Sequence, residues 1–325
     1  MPAELICMSH GGLMNVDELL TNEELSEVNA EIGQARAAAK DAAPDLVIKF
    51  GNDHNSGLSL RLMPPFMVGL RARTLGDFNT SCDQILIDET NGRALVRYLH
   101  EAGIDVATSY DALFDHGIAM ALDKLFDGVR AVPAIPVFTN CGGDLRPPLH
   151  RSLSLGTAIG AFFRDELPDL NVMFVGSGGL SHDPPLPLFE KSPPEVQQRM
   201  IDGVEWTEEK LRDRTRWVTE SGREHGRGEG DLRPLNPGWD LEMLAHFASG
   251  NLESIAEQDD TTVIDLGGRG ASEIRNWLAA FAALREYGGG SYQIGHQFYR
   301  PLPSWIVGFA NVHAIARGKV LQAAA

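Results

Sequence analysis

The sequence predicts an α/β fold with a mostly parallel central sheet flanked by helices. Short apolar runs typical of strands alternate with longer segments of helical periodicity. Several of the runs end in turns that carry glycine, asparagine or histidine. This alternation favours helices packed on a mostly parallel sheet. In such sheets ligands bind beyond the carboxyl ends of the strands, so those ends are where a functional site is expected.

The first part of the chain predicts two strands separated by a helix. Residues 4–8 form a short apolar strand that ends just before His10. Residues 22–42 place apolar side chains at near-helical spacing and acidic residues early, which predicts a helix. Residues 45–50 are a strand of the buried type, and this strand delivers His54 at its C-terminal end.

The same pattern repeats later in the chain. Residues 106–114 predict a strand and a turn ahead of His116, and residues 132–138 are a β-branched run. Residues 172–175 predict a further strand, followed by a glycine-rich turn that leads to His182. His10, His54 and His182 are thus all expected at strand ends.

The last third is richer in charge and proline. An exposed helix is expected over 205–217, and further helices over 239–246 and 272–286. The glycine-rich, charged segment 221–231 is expected to be a mobile loop. No linker divides the sequence, so we expect a single domain over residues 1–325.

The composition argues against several classes of function. The formal net charge of -17 disfavours binding to nucleic acid or to an anionic membrane. No apolar run is long enough to span a bilayer, and no signal peptide is visible. We expect a soluble, cytoplasmic protein with no nucleic-acid or membrane partner. An anionic substrate would need a local patch of basic residues to offset the repulsion from the net negative charge of the protein.

The three cysteines, Cys7, Cys82 and Cys141, are scattered and form no CxxC pair. They are expected to be buried free thiols.

Each candidate histidine also has a structural interpretation. Most histidines bind no metal, and a histidine after a strand can simply hydrogen-bond within its turn. Gly11 and Gly12 permit a close approach of the backbone to a ligand beside His10. Asp53 could orient the ring of His54 or instead cap the next helix. The placement of several histidines at strand ends favours a functional site more than any one of them does.

Two neutral imidazoles and one carboxylate can bind one face of Fe(II) and leave the other open to substrate and dioxygen. The same ligands also describe a catalytic zinc site, so a Zn²⁺ hydrolase is an alternative. The residues alone do not identify the carboxylate. Ser272 looks like a helix N-cap, which would make Glu273 an ordinary first-turn acid. Glu242 and Glu253 remain equal candidates on this reasoning.

The glycine-rich turn Gly176–Gly179 does not predict a phosphate site, because no P-loop lysine or dinucleotide fingerprint accompanies it. No nucleophile elbow appears there either. Asp115-His116-Gly117 is a weak signal by itself. The remaining histidines have no supporting context and are expected in the core or at the surface: His100, His150, His225, His246, His296 and His313.

Nine segments together carry a family resemblance. They are Ser9-His10, Asp53-His54, Met63–Phe66, Gly76–Phe78, Asp115–Gly117, Gly176–Pro185, Pro234–Pro237, Glu273-Ile274 with Trp277, and Tyr299–Trp305. On these the chain resembles the class III, LigB-type extradiol ring-cleavage dioxygenases, nearly end to end. Among them it looks most like the dihydroxyphenylpropionate-cleaving enzymes.

The resemblance implies a LigB-like three-layer architecture and a non-haem Fe(II) cofactor. It implies a catecholic substrate and dioxygen as partners, and a homo-oligomeric assembly. Carried over residue by residue, it makes His10, His54 and Glu273 metal ligands and makes His116 and His182 catalytic. The substrate-binding residues it implies are Asn55, Pro65, Phe66 and Tyr299.

The chain also departs from the family pattern. The dihydroxyphenylpropionate enzymes typically have an aromatic residue and then Asn-Gly after the Asp-His pair, where this chain has Asn55-Ser56-Gly57. Ser272 stands where histidine is frequent. These changes leave the three expected metal ligands intact and affect residues that border the expected binding site for the substrate side chain. A carboxylate on that side chain could be bound by Arg61, Arg71, Arg73 or Arg300.

Two alternatives stay within this fold. One is a dioxygenase for protocatechuate, gallate or another bulky catechol. The other is a Memo-like interaction protein that does not cleave catechols.

Overall fold

The centre of the molecule is an eight-stranded mixed sheet. A computed structural model describes residues 2–143 and 145–317. Its strands are β1 (Pro2–Met8), β2 (Leu46–Gly51), β3 (Phe66–Gly69), β4 (Ala72–Thr74), β5 (Ala107–Ser109), β6 (Ala112–Phe114), β7 (Ala134–Thr139), β8 (Val172–Ser177), β9 (Gln293–Leu302) and β10 (Val307–Arg317). The order is β5-β3-β7-β2-β8-β1-β10-β9, and β4 pairs separately with β6. The four strands β7, β2, β8 and β1 run parallel at the centre, which confirms the predicted mostly parallel core.

Helices cover both faces of this sheet. They are α1 (Asn22–Ala42), α2 (Glu89–Glu101), α3 (His116–Phe126), α4 (Leu149–Asp165), α5 (Pro194–Asp202), α6 (Glu208–Gly226), α7 (Pro237–Ser249), α8 (Leu252–Ala256), α9 (Asp260–Gly267) and α10 (Ile274–Tyr287). Within the described residues, none of these helices is long and apolar enough to cross a membrane.

Strand β8 shows how three layers arise from the sequence. Successive side chains of a strand point to opposite faces. Phe174 joins the core beneath α4 and α10, whereas Met173 and Val175 join the core beneath α1 and α3. Both faces are therefore buried, which explains why this strand reads as a continuous apolar run.

Close packing of α4 against α10 fixes the position of the segment that precedes α10. A Cβ on Gly156 would lie 2.0 Å from the carbonyl oxygen of Ala279, and a Cβ on Gly160 would lie 2.2 Å from that of Ala283. Only glycine permits this approach of the two backbones. Glu273 is the residue immediately before α10, so this packing also sets where its carboxylate lies.

The predicted strands near residues 4–8, 45–50, 132–138 and 172–175 are confirmed, as is the helix over 22–42. That helix begins with a capping box, in which Thr21 and Glu24 bond each other's backbone N–H groups.

The predicted mobile loop over 221–231 is wrong for its first half, because α6 continues to Gly226. Two glycines of this segment, Gly222 and Gly226, permit α6 to pack closely against Ser304. A Cβ on Gly222 would lie 2.5 Å from the carbonyl oxygen of Ser304, and one on Gly226 would lie 2.2 Å from the Ser304 hydroxyl. His225 lies between them, with its ring nitrogens 2.7 and 2.9 Å from the carbonyl oxygens of Pro303 and Arg233.

All three cysteines are free thiols. Cys7 and Cys141 are buried as predicted, but Cys82 is exposed, so the prediction is wrong for that residue.

Candidate metal centre

His10, His54 and Glu273 meet beyond the carboxyl ends of the central strands. His10 follows β1, His54 follows β2, and Glu273 closes a 3₁₀ turn (Arg269–Glu273) ahead of α10. Nε2 of His54 lies 2.9 Å from Oε1 of Glu273, and Nε2 of His10 lies 3.2 Å from Oε2. One ligand atom from each residue lies within 4.8 Å of the others, so the three, called the metal cluster below, could hold one ion.

His10 has the properties of a metal ligand. Its Nε2 is buried and lies 3.2 Å from Oε2 of Glu273, but it has no hydrogen-bond partner among the described residues. Its Nδ1 lies 2.8 Å from the hydroxyl of Ser177. Burial lowers the pKa of His10 to about 4, which keeps the imidazole neutral. A neutral ring with an unpartnered lone pair fits a bound cation.

Glu273 is held as a carboxylate. Burial alone would favour the neutral acid, but the histidines that surround Glu273 hold its pKa well below the usual range. Its Oε2 accepts the backbone N–H of Gly179 at 2.9 Å, and its Oε1 accepts the side-chain amide of Asn52 at 3.0 Å. Among the described residues no lysine or arginine forms an ion pair with Glu273, so its negative charge remains able to neutralise a cation.

The glycine-rich turn after β8 makes room for this carboxylate. A Cβ on Gly178 would lie 2.6 Å from Cβ of Glu273. One on Gly179 would lie 1.9 Å from the ring of His182. The turn therefore brings a backbone donor and a histidine to Glu273. The expected N-cap at Ser272 is wrong: its hydroxyl donates to the carbonyl oxygens of Cys141 and Arg269.

Asp115 orients the ring of His54. Its Oδ2 lies 3.1 Å from Nδ1 of His54 and accepts the backbone N–H of His54 at 2.9 Å. Burial opposes protonation of His54, but the charge of Asp115 and hydrogen bonds to Asp115 and Glu273 raise the pKa of His54 well above its usual range. A cation at the metal cluster would displace the proton on Nε2.

Asp53, for which the sequence left open either orientation of this ring or capping of the next helix, shapes a loop instead. Its carboxylate accepts the backbone N–H groups of Ser56, Gly57 and Leu58 and so shapes the loop that carries His54. Burial raises the pKa of Asp53 to about 7.

His116 lies beside the metal cluster at the first turn of α3. Its ring stacks on that of His54, with centroids 4.4 Å apart and planes 4° apart. Its Nδ1 lies 2.6 Å from Oδ2 of Asp77, whose other oxygen accepts the backbone N–H of His116 at 2.8 Å. Asp77 therefore fixes the ring and leaves Nε2 as the free nitrogen.

His182 lies next to the metal cluster, in the segment that follows the glycine-rich turn after β8. Its Nε2 lies 3.5 Å from Oε2 of Glu273. His10, His54, His116 and His182 line one cavity, whose other walls are mainly apolar.

Comparison with known proteins identifies the family. The family described as the catalytic LigB subunit of aromatic ring-opening dioxygenase matches residues 4–310. The chain belongs to the LigB family. It is an enzyme family that opens aromatic rings with dioxygen.

Curated LigB-family relatives match over almost the whole chain. A protein of Rhodococcus jostii is 37% identical over 97% of this chain and 99% of its own length. One of Mycolicibacterium smegmatis is 39% identical over 95% and 97%. One of Photorhabdus laumondii is 38% identical over 97% and 98%. All three are named 2,3-dihydroxyphenylpropionate/2,3-dihydroxicinnamic acid 1,2-dioxygenase.

Of the four residues expected to bind substrate in this LigB-family chain, only Asn55 is among the described residues that line the cavities around the histidines. Asn55 lines two cavities that adjoin His54. Pro65 is exposed, Phe66 is the first residue of β3 and lies in the core, and Tyr299 donates its hydroxyl to Asp240 at 2.6 Å. Among the described residues that line the cavities around the histidines, the last three do not occur.

The four arginines considered for a substrate carboxylate pair instead with surface acids: Arg61 with Asp202, Arg71 with Glu89, Arg73 with Asp111, and Arg300 with Glu27. Arg214, which sequence reasoning missed, lines the histidine cavity. Its side chain is only 11% exposed, and its Nη1 donates to the hydroxyl of Ser56 at 2.7 Å.

Proposed function

We propose that this LigB-family enzyme is an Fe(II)-dependent extradiol dioxygenase. It cleaves the ring of a catecholic aromatic acid and releases a ring-opened keto-dienoic acid or semialdehyde. The observation that carries the proposal is the metal cluster: a neutral His10 with an unpartnered Nε2, the ionised Glu273 and the oriented His54. When bound, Fe(II) would supply a template on which catechol and dioxygen react side by side.

Two histidines without a ligand role supply the proton chemistry. His182 takes a proton from a catechol hydroxyl as the substrate binds. His116 gives a proton in the later ring-opening step, and this proton leaves from Nε2 because Asp77 holds Nδ1. Imidazole suits both transfers at neutral pH. The two rings contact different members of the metal cluster, His116 the ring of His54 and His182 the carboxylate of Glu273, which supports separate roles.

The substrate class rests on the relatives. The names of these relatives describe catechols with a three-carbon acid side chain. Asn55 stands where the family typically has an aromatic residue, and it lines the cavity beside His54, so another catecholic acid such as protocatechuate or gallate is the second candidate.

The test is oxygen uptake with absorbance scanning on protein loaded anaerobically with Fe(II), against a panel of catechols. We expect uptake together with a yellow ring-opened product. If no catechol promotes uptake, the proposal fails and the Memo-like interaction role replaces it. Metal analysis and loss of activity in air separate iron from zinc, because zinc does not oxidise.

Three further predictions accompany this function: a single catalytic domain over residues 1–325, a cytoplasmic location and a homo-oligomer. Light scattering on the purified protein measures the last of these.

A further inference from the structure

A cavity next to His54 is lined by three cations, two of which have no carboxylate partner among the described residues. Its volume is about 450 Å³, and it lies among α5, α6 and the loop that carries His54. Arg199 on α5 and Lys210 on α6 line it, and within the described part of the chain neither pairs with a carboxylate. Nζ of Lys210 donates to the backbone carbonyl oxygen of Glu205 at 2.7 Å, which leaves two of its three donors available.

The inner wall of this cavity is tied to the metal cluster. Trp206 donates its indole N–H to the carbonyl oxygen of Ser56 at 2.8 Å, and Arg214 donates to the Ser56 hydroxyl. That hydroxyl in turn donates to Asp115 at 2.7 Å, the carboxylate that orients His54. The cavity therefore has a fixed position relative to the metal cluster, and both Arg214 and His54 border it.

The remaining walls suit a hydrocarbon linker. Leu186, Met200, Val204 and Trp217 line the cavity, and Trp217 is half exposed. Glu205 is the one acidic residue among the described lining residues, against three cations. In a chain of net charge -17, this is a local positive region of the kind that an anionic substrate needs.

We propose that this cavity is an anion subsite for the carboxylate on the side chain of the catechol substrate, with Arg199 and Lys210 as its cations. The inference rests on the proposed function for the identity of the ring. Arg214 forms the inner end of the subsite, but its charge is shared with Asp77 and Asp115, which lie 3.6 and 4.0 Å away. The two outer cations therefore attract and hold the substrate carboxylate.

The test compares a carboxylate with its uncharged amide. For 3-(2,3-dihydroxyphenyl)propionate against the corresponding propanamide, the Arg199→Gln, Lys210→Gln double variant should lose about fivefold to tenfold of the wild-type preference in kcat/KM. Added salt should also reduce the preference of the wild-type enzyme for the acid over the amide, because salt screens exposed charges. The matched control is the double variant Arg212→Gln, Arg216→Gln. It also removes two positive charges, both from α6, the helix of Lys210, but these two arginines line a different groove.

A binding assay separates this inference from the proposed function. Metal-free protein is titrated with 3-phenylpropionate and 3-phenylpropanamide, and binding is followed by the change in tryptophan fluorescence, to which Trp206 and Trp217 contribute from the wall of the cavity. Tighter binding of the acid, weakened in the Arg199/Lys210 variant but not in the control, supports the subsite even if no catechol is cleaved. Equal binding of acid and amide, or equal loss in both double variants, overturns it.

Discussion

Lys49 and His10 are joined through a single hydroxyl group, that of Ser177. Lys49 is fully buried, and its Nζ donates to Ser177 Oγ, to the carbonyl oxygen of Phe50 at 2.7 Å and to that of Gly117 at 3.3 Å. Ser177 Oγ can donate its own proton to Gly117 and accept from Nδ1 of His10. This arrangement places the His10 proton on Nδ1 and leaves Nε2 with its lone pair toward Glu273.

Lys49→Met should therefore weaken metal binding although Lys49 touches no ligand. Loss of a group that orients a metal ligand typically lowers affinity by about 10- to 100-fold. The measurement is Fe(II) retention during dialysis against a graded chelator. Because Lys49 acts through Ser177, adding Lys49→Met to Ser177→Ala should cause little further loss. Independent, additive losses would contradict the relay.

The same lysine predicts a pH dependence of stability. Burial lowers the pKa of Lys49 to about 7, whereas the unfolded chain keeps the model-peptide value of 10.5. Between these values the unfolded state binds one more proton, so this group makes the free energy of unfolding rise with pH, by at most ~1.4 kcal/mol per unit. Urea unfolding of metal-free protein at several pH values from 7 to 9 should show this slope, and Lys49→Met should lack it. Equal slopes would show that Lys49 is charged in the folded protein.

Glu273→Ala should lower iron occupancy sharply, because it removes the one negative charge among the three proposed ligands. Metal content is measured after anaerobic loading and desalting, with circular dichroism to verify the fold. Glu242→Ala is the matched control, since Glu242 is exposed on α7 and lies outside the metal cluster. Unchanged iron content would assign the third ligand to another carboxylate.

His182→Ala should keep its iron and lose about 10²- to 10⁴-fold in kcat, the usual size of a general acid–base contribution. Single-turnover rates with a catechol, normalised to bound iron, give this number. Turnover at the wild-type rate would remove His182 from the mechanism.

The sequence predicted the strand ends, and with them His10, His54 and His182, because apolar runs and turn residues are local signals. It did not predict their partners. Asp115 is 61 positions from His54, and Glu273 is 219 positions from it, so no local pattern joins them. Only the family resemblance selected Glu273 from the other glutamates.

Two kinds of residue carried misleading local signals. The glycines of 222–226 read as a loop, but they permit contact between α6 and Ser304. Arg214 stands in a charged helix that reads as a solvated face, yet its guanidinium packs against Phe78 and Trp206, 5.4 and 5.2 Å from their ring centroids. Burial of this kind depends on tertiary packing and cannot be read from charge periodicity.

Asp77→Asn tests whether the orientation of His116 matters as much as its presence. The amide keeps the size of the carboxylate but can present an N–H donor to Nδ1, which would favour the neutral tautomer that has no proton on Nδ1 and its one proton on Nε2. It also removes the negative charge that faces the ring while the ring gives its proton. We expect a loss of about 10²- to 10⁴-fold in kcat, similar to His116→Ala, with iron content unchanged because neither residue is among the proposed ligands. The double variant should be no slower than His116→Ala alone, since Asp77 acts through that ring. A KM change with kcat preserved would instead assign Asp77 to substrate binding through Arg214, whose Nη1 lies 3.6 Å from its Oδ2.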